Sequence, residues 1–485
     1  LGDAKSPFSF DTIDANHFVR GKAMNQNSSL KKIKSAKFLK VCETIVAEMK
    51  RLKVPGVAIG IYHNGKEHAA GFGVTSVENP LSVTADTLFQ TGSISKTFTG
   101  TIFMRLVEAG KIELDAPVRT YLPKFKLADK DVAERVTVRH LLTHTGGWVG
   151  DYFNDYGNCD DAQAKMVRDI AKLEQVTPLG EVWSYNNAGF NIAGRIVEVV
   201  TGEPFEQVSR EMILDPLGMD MTFYFPDDTL ITHRFVVGHH KEGKKVVVSR
   251  PWAIGRAGAP VGGVVSTVKE LLTYARFHMG DGTSASGEAI LSAESLQQMR
   301  TPLHPASGFD QIGLTWFIRD VGEVKIISHG GATNGQIAGL YFIPEEGFAL
   351  AVLTNSEDGR SITGTALTQT LKTYLGVDMP IPTPIETPAE ELNEFIGKYE
   401  VPLIAYELKL KKGRLMLHEM PHGGFPKPDS PALPVPPPMR TALYAKDKLV
   451  VLDEPMKNAL GEFLRKPDGS LQYLRLSSRV LKKVD

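Results

Sequence analysis

Cysteine is almost missing from this chain: Cys42 and Cys159 are the only two in 485 residues. That excludes a disulfide-built scaffold and a cysteine-based zinc or iron–sulfur centre. Two isolated thiols suit a reducing compartment as well as they suit a single bridge. Long apolar runs are also absent. Phe348–Leu353 is typical of the longest, far short of the ~18 residues that a membrane helix needs. Nor is one sign of charge in excess. Lys and Arg number 55 against 56 Asp and Glu, so the chain carries no electrostatic footprint for nucleic acid. What remains is an ordinary globular composition, 42% hydrophobic and 23% charged. The length suits two to four domains, or one large fold with an appendage.

The chain divides unevenly. Residues 1–23 show no periodicity, and Met24 precedes a polar, basic stretch reaching Lys40. We expect residues 1–23 to be a leader or a cloning remnant ahead of a native start. No apolar core of the roughly 7–15 residues that a secretory signal needs is visible, which favours the cytoplasm over export. Four prolines crowd residues 380–388, the mark of an extended linker. Beyond them, short runs such as Tyr406–Leu410, Leu449–Leu452 and Leu471–Leu476 alternate with turns such as Lys412-Gly413. That texture predicts a small all-β barrel or sandwich over residues 389–485. Residues 24–379 mix signals. Asn64-Gly65 between Val57–Tyr62 and His68–Gly73 predicts a hairpin. Helical spacing runs from Ile94 to Val107, stopped by Gly110, and from Phe190 to Val200, stopped by Gly202. Glu323–Ser328, Gly339–Ile343 and Phe348–Thr354 read as consecutive strands. Strand pairs at both ends with helices between predict an α+β domain around one antiparallel sheet.

Some motifs mislead. Gly60–Lys66 matches G-x-x-x-x-G-K, but Glu67 follows where a phosphate loop needs Ser or Thr, and the segment reads as a hairpin. His418-Glu419-Met420-Pro421-His422 matches H-E-x-x-H, but Pro421 and the β context oppose the helix that zinc binding requires. There is no G-x-S-x-G, so the nucleophile elbow of α/β-hydrolases is excluded. His140, His144, Asp151 and Asp155 read as structural or substrate-rim groups.

Three other elements carry chemistry. Ser93 and Lys96 lie three apart at the start of the first helical run, which places both side chains on one face. A serine hydroxyl needs a neighbour to take its proton, and a lysine amine with a lowered pKa does so. The helix N-terminus adds positive potential. Ser-x-x-Lys recurs at Ser28, Ser29 and Ser266, but only Ser93 follows an apolar stretch and a glycine into an amphipathic helix. Tyr185 and Asn187 stand at a loop-to-helix junction. A phenol near cations can act as a general base, and an amide can orient a carbonyl. Finally, His329-Gly330-Gly331-Ala332 ends the strand Glu323–Ser328. Glycines there let a substrate lie against the strand, and the Ala332 and Ser93 amides would form an oxyanion hole.

Ser93-x-x-Lys96, Tyr185-x-Asn187 and His329-Gly330-Gly331, in this order, resemble the serine β-lactamase and penicillin-binding-protein superfamily. The branch that looks nearest holds class C β-lactamases, D-aminopeptidases, family VIII esterases and CubicO-type serine hydrolases. Thr137–Gly147 and Ala259–Thr267 support the likeness, which covers about residues 40–375. It implies a β-lactamase-like antiparallel sheet flanked by helices, with the serine at the junction of sheet and helical region. It also implies Ser93 as the acylated nucleophile, Lys96 as its deprotonating partner, Tyr185 as the base, and Asn187 as the group that holds the acyl carbonyl. His329 departs from the pattern, because this position is usually lysine. Histidine is largely neutral at pH 7, which weakens selection for a substrate carboxylate. The β domain resembles lipocalin-like C-terminal barrels, whose expected role is to cap the cleft or mediate assembly.

The resemblance implies a serine hydrolase that cleaves small esters, amides of D-residue peptides or β-lactams through an acyl-enzyme, with no metal or cofactor. A penicillin-binding sensor without turnover and an acyltransferase using the same nucleophile are the alternatives. Tyr185 argues against the sensor, because a deacylating base gives turnover.

Overall fold

The computed structural model describes residues 29–252, 254–432 and 434–484. The expectation for residues 1–23 lies outside them.

An eight-stranded antiparallel sheet organises the first part. Its strands run in the order Lys66–Gly73, Gly56–His63, Phe348–Thr354, Gln336–Ile343, Val324–Thr333, Phe317–Val321, Gln311–Ile312 and His304–Pro305. The early hairpin therefore pairs with a strand from the far end of the domain, Val57 opposite Thr354. The expected α+β sheet built from both ends is present. Alternation explains how the sheet is covered. Val57, Ile59 and Ile61 point to one face, where they meet helices Ala36–Leu52 and Gly359–Tyr374. Ala58 points the other way, to a larger core that includes helix Val268–Met279. Phe348–Thr354 is buried along its whole length because both faces are covered, which is why it reads as an unbroken apolar run. Gly60 of the misleading phosphate-loop match lies in this sheet. A Cβ there would come within 2.9 Å of Leu272, so its lack of a side chain admits the helix.

Two local expectations need correction. The serine helix spans Ser95–Glu108, and every residue from Ser95 to Met104 is buried. It is a central helix, not an amphipathic surface one. Its threonines are tolerated because they bond within the protein: Thr97 donates to the Ile94 carbonyl at 2.7 Å and Thr101 to the Thr97 carbonyl at 3.0 Å. The histidine strand does not stop at Ser328. It runs from Val324 to Thr333, through both glycines, because pairing with Gln336–Ile343 continues to Thr333 opposite Gln336.

The C-terminal region forms a closed antiparallel eight-stranded barrel, from Gly397–Val401 to Arg479–Lys483. It closes where Tyr399 pairs with Lys483. Tyr399, Leu408, Leu417, Leu449, Phe463 and Leu474 pack its interior. Eight strands leave just enough room for side chains to fill the inside. His418 and Glu419 lie on strand Arg414–Pro421, in no helix. Cys42 and Cys159 are both free. Among the described residues no helix is long and apolar enough to cross a membrane.

Candidate active site

Ser93 lies in a single 3₁₀ turn, Gly92–Ile94, that leads into the serine helix. The turn is tied down from outside. Thr91 sends both its amide and its hydroxyl to the Val264 carbonyl, at 2.9 Å each. Ser95 accepts from the Val264 amide at 2.9 Å and donates to the Gly92 carbonyl at 2.7 Å. Gly92 has φ +54°, a conformation that costs a side-chain-bearing residue energy.

Lys96 is fully buried in the first turn of the helix. Its Nζ lies 3.0 Å from Ser93 Oγ and donates to the Val261 carbonyl at 2.9 Å. Among the described residues no carboxylate forms an ion pair with it. Burial drives its pKa well below the ordinary lysine value, and Arg479 pushes the same way, against Asp151. An amine held neutral beside a hydroxyl can accept its proton.

Tyr185 sits just before the helix Asn187–Thr201, whose first turn is capped by the Asn186 side chain accepting from the Gly189 amide at 2.8 Å. Its ring stacks on His144 at 4.3 Å between centroids, and Lys96 Nζ lies 5.0 Å from the ring centre. The hydroxyl is buried without a hydrogen bond of good geometry. Burial pushes its pKa up, while the nearby Ser93 hydroxyl and Arg479 oppose that rise.

Asn187 is also buried, but its amide donates to Asp151 Oδ1 at 2.7 Å. Asp151 in turn takes two bonds from Arg479, at 3.0 Å each. Burial works to raise the Asp151 carboxyl, but Arg479, Asn187 and Lys96 outweigh it and hold it below the ordinary value.

His329 is buried mid-strand. Its Nδ1 lies 2.6 Å from the Gly330 carbonyl and must donate to it, which leaves Nε2 as a buried acceptor without a partner. Burial, with Lys96 nearby, lowers its pKa to about 3, so the ring is neutral at pH 7. Gly331 is where the strand touches the serine turn. A Cβ there would fall 1.8 Å from the Thr91 carbonyl, and one on Gly92 would fall 2.6 Å from the Ala332 nitrogen. The backbones of Ser93 and Ala332 are therefore side by side, which only glycines at 92 and 331 permit. Gly330 is different: the nearest atom to a Cβ there is 3.7 Å away.

The structure thus brings Ser93, Lys96, Tyr185, His329, Gly331 and Ala332 together, with Asn187 joined to them through Asp151 and Arg479. Sequence reasoning missed others. Asp151 and His144, read as structural or rim groups, touch Asn187 and Tyr185 directly. Arg479 comes from the barrel, 328 positions after Asp151, and its guanidinium lies 4.8 Å from the centre of the Tyr185 ring. No spacing rule could have found it. The barrel also covers the flank of the site at Phe425, whose ring lies 4.9 Å from Phe153, and at Lys427, 3.4 Å from Asp155.

A half-buried serine beside a fully buried lysine thus stands at the start of a central helix, faced by a tyrosine and by a glycine-bearing strand. The chain belongs to the Beta-lactamase family, the β-lactamase and penicillin-binding-protein type of serine hydrolase, and the family's model matches residues 42–372. Penicillin-binding protein 4 of Amycolatopsis lactamdurans is 34% identical over 361 residues, which are 72% of this chain and 93% of that protein. Unguisins hydrolase ungD' of Aspergillus campestris is 26% identical over 340 residues, covering 67% of this chain and 63% of its own length. The crystal structure of SurE with D-Leu matches with a TM-score of 0.72 at 23% identity, over 93% of this chain and 100% of that one. That likeness is one of fold, and its coverage extends into the barrel.

Proposed function

We propose that this protein hydrolyses small esters and amides, including those of D-residue peptides, through an acyl-enzyme on Ser93. The observation that carries this is the buried amine of Lys96, ion-paired to no carboxylate among the described residues, at 3.0 Å from Ser93 Oγ. Lys96 takes the Ser93 proton as Oγ bonds to the substrate carbonyl carbon. The amides of Ser93 and Ala332 hold the oxyanion. Tyr185 gives its proton to the leaving alkoxide or amine and regains one from the Lys96 ammonium. In the second half, water loses a proton to the same pair, attacks the acyl carbon, and Ser93 leaves reprotonated. Asn187 orients the acyl carbonyl through the edge it does not spend on Asp151.

A neutral His329 offers a substrate no fixed positive charge, so penicillins, which are carboxylates, react slowly by comparison with neutral esters. The relatives' names span a penicillin-binding protein and a hydrolase of unguisins, in keeping with a scaffold whose loops select the substrate.

The test is mass spectrometry after exposure to a fluorophosphonate and to a penicillin, with p-nitrophenyl butyrate turnover alongside. Rapid label on Ser93 from the first reagent, little from the second, and steady turnover lost in Ser93→Ala are expected. One stoichiometric burst without turnover would assign a sensor instead. Transfer of the acyl group to an added alcohol or amine in preference to water would assign an acyltransferase.

A further inference from the structure

We propose that the barrel completes this active site, with Arg479 as a positioning residue that braces the Tyr185 ring and presents a fixed positive charge to it. The inference rests on the serine-hydrolase reading above and extends it to a second domain.

The hairpin between strands Leu471–Leu476 and Arg479–Lys483 turns at Ser477 and Ser478, with φ of 50° and 65°. Two consecutive residues with positive φ make the tight turn that suits a twisted hairpin, but neither is the glycine that adopts it at little cost. The tip is held in this form by contacts on both sides. Ser477 shares a hydrogen bond of 3.0 Å with the Tyr406 hydroxyl inside the barrel. The Ser478 carbonyl accepts from the Tyr185 amide at 2.9 Å, and the Val480 amide donates to the Ser184 hydroxyl at 3.2 Å. The hairpin thus grips the two residues that place the phenol.

Arg479 follows at once. Two of its N–H groups go to the Asp151 carboxylate, whose Oδ1 also accepts from Asn187. This edge of the guanidinium is spent inside the protein, so it serves position and not capture of a substrate carboxylate. The chain Asn187–Asp151–Arg479–Tyr185 links both members of the Tyr-x-Asn motif through the barrel. A cation over the ring favours the phenolate that forms when Tyr185 passes its proton. The charged and titratable groups around the ring are Lys96 from the serine helix, His144 from the loop after Leu142, Asp151, His329 from its strand and Arg479 from the barrel. Arg360 and Tyr406 stand behind Arg479. Arg479 disfavours protonation of both Lys96 and Tyr185, and Asp151 favours it.

Opposite signs make the test. The full chain is assayed as Arg479→Gln, Asp151→Asn and the double variant, against Ser93→Ala, by p-nitrophenyl butyrate hydrolysis and the pH dependence of fluorophosphonate labelling. Arg479→Gln should lower kcat about 10–100-fold with little change in KM, the size of a misplaced proton-transfer group. Its acid limb should move up by about one pH unit, while that of Asp151→Asn moves down. Arg479→Lys should keep the wild-type limb with a smaller loss of rate. If a single variant fails to fold, the neutral double variant still decides, because it loses the cation nearer the ring and its limb must move up. Equal limbs in the folded variants, with Ser93→Ala inactive, overturn the inference alone. A KM effect confined to carboxylate-bearing substrates also overturns it. Full activity in Ser93→Ala overturns the hydrolase reading and this inference with it.

Discussion

The chain builds two β structures of eight strands each and uses their interiors differently. The open sheet is covered by helices on both faces, and near the serine turn it buries polar atoms without partners, the His329 Nε2 among them. The barrel closes on itself around apolar side chains and reaches the site through loops and one hairpin. Unpaired buried polar groups cost stability, and the sheet domain carries that cost where chemistry needs neutral, poorly solvated groups. Among the described residues the barrel strands bury one such atom, the Nε of Arg475, on a guanidinium that donates to the Trp183 carbonyl of the first part of the chain. The contrast separates parts built to react from parts built to hold.

The largest effect expected from breaking this contrast is at Lys96. Lys96→Met should abolish p-nitrophenyl butyrate hydrolysis, a loss of about 10³-fold or more, as a lost general base and relay implies. Its melting temperature should not fall, because a buried amine without a carboxylate partner is replaced by an apolar chain of similar length. A clear drop in melting temperature with activity retained would contradict both halves.

Next is a pair of neighbouring glycines. Gly331→Ala should lower kcat/KM by about 100-fold, since its Cβ would fall 1.8 Å from the Thr91 carbonyl and must push the serine turn away from Ala332. Gly330→Ala has room, with 3.7 Å to the nearest atom, and should stay within a few-fold of wild type. Steady-state kinetics on both variants, with circular dichroism as the fold control, check this. Equal effects would remove the close contact as the cause.

The barrel supplies a third prediction. Leu474→Ala empties a fully buried interior position and should cost about 2–5 kcal/mol in urea unfolding. The hairpin beside it should loosen, and fluorophosphonate labelling of Ser93 should slow. Leu350→Ala, on the sheet face away from the serine helix, should cost a similar amount yet leave labelling of the folded protein unchanged.

The smallest effect is electrostatic. The His329 pKa of about 3 lies below the ordinary value of 6.5. Between those values the unfolded chain holds a proton that the folded one refuses, so stability rises with pH up to about 6.5 and falls as pH drops toward 3. The slope from one such group is at most about 1.4 kcal/mol per pH unit. His329→Gln should therefore flatten the dependence of melting temperature on pH between about 4 and 6.5. His144 is shifted the same way, so the flattening is partial.

Much of the architecture was legible because it rests on local signals. Asn64-Gly65 marks the hairpin of Gly56–His63 and Lys66–Gly73, and Gly202 marks the end of the tyrosine helix. The short runs after Pro388 became barrel strands. Less legible were elements whose neighbours override their own pattern. The helical spacing from Ile94 to Val107 marks one apolar face, yet the threonines of the serine helix are buried as well, bonded to Pro260, Tyr274 and His278. His329-Gly330-Gly331 looks like a strand end, yet the partner strand carries it on to Thr333.

Sequence alone determined the serine–lysine spacing, the tyrosine–asparagine junction and the strand–turn rhythm of the barrel, because each is written within one or two turns of chain. Tertiary structure alone decided that Lys96 is sealed from water, that Asn187 is committed to Asp151, and that an arginine from the last strand lies against Tyr185. Dehydration and charge pairing depend on what the rest of the chain brings near in space, and residues hundreds of positions apart leave no mark of that meeting in their own neighbourhoods.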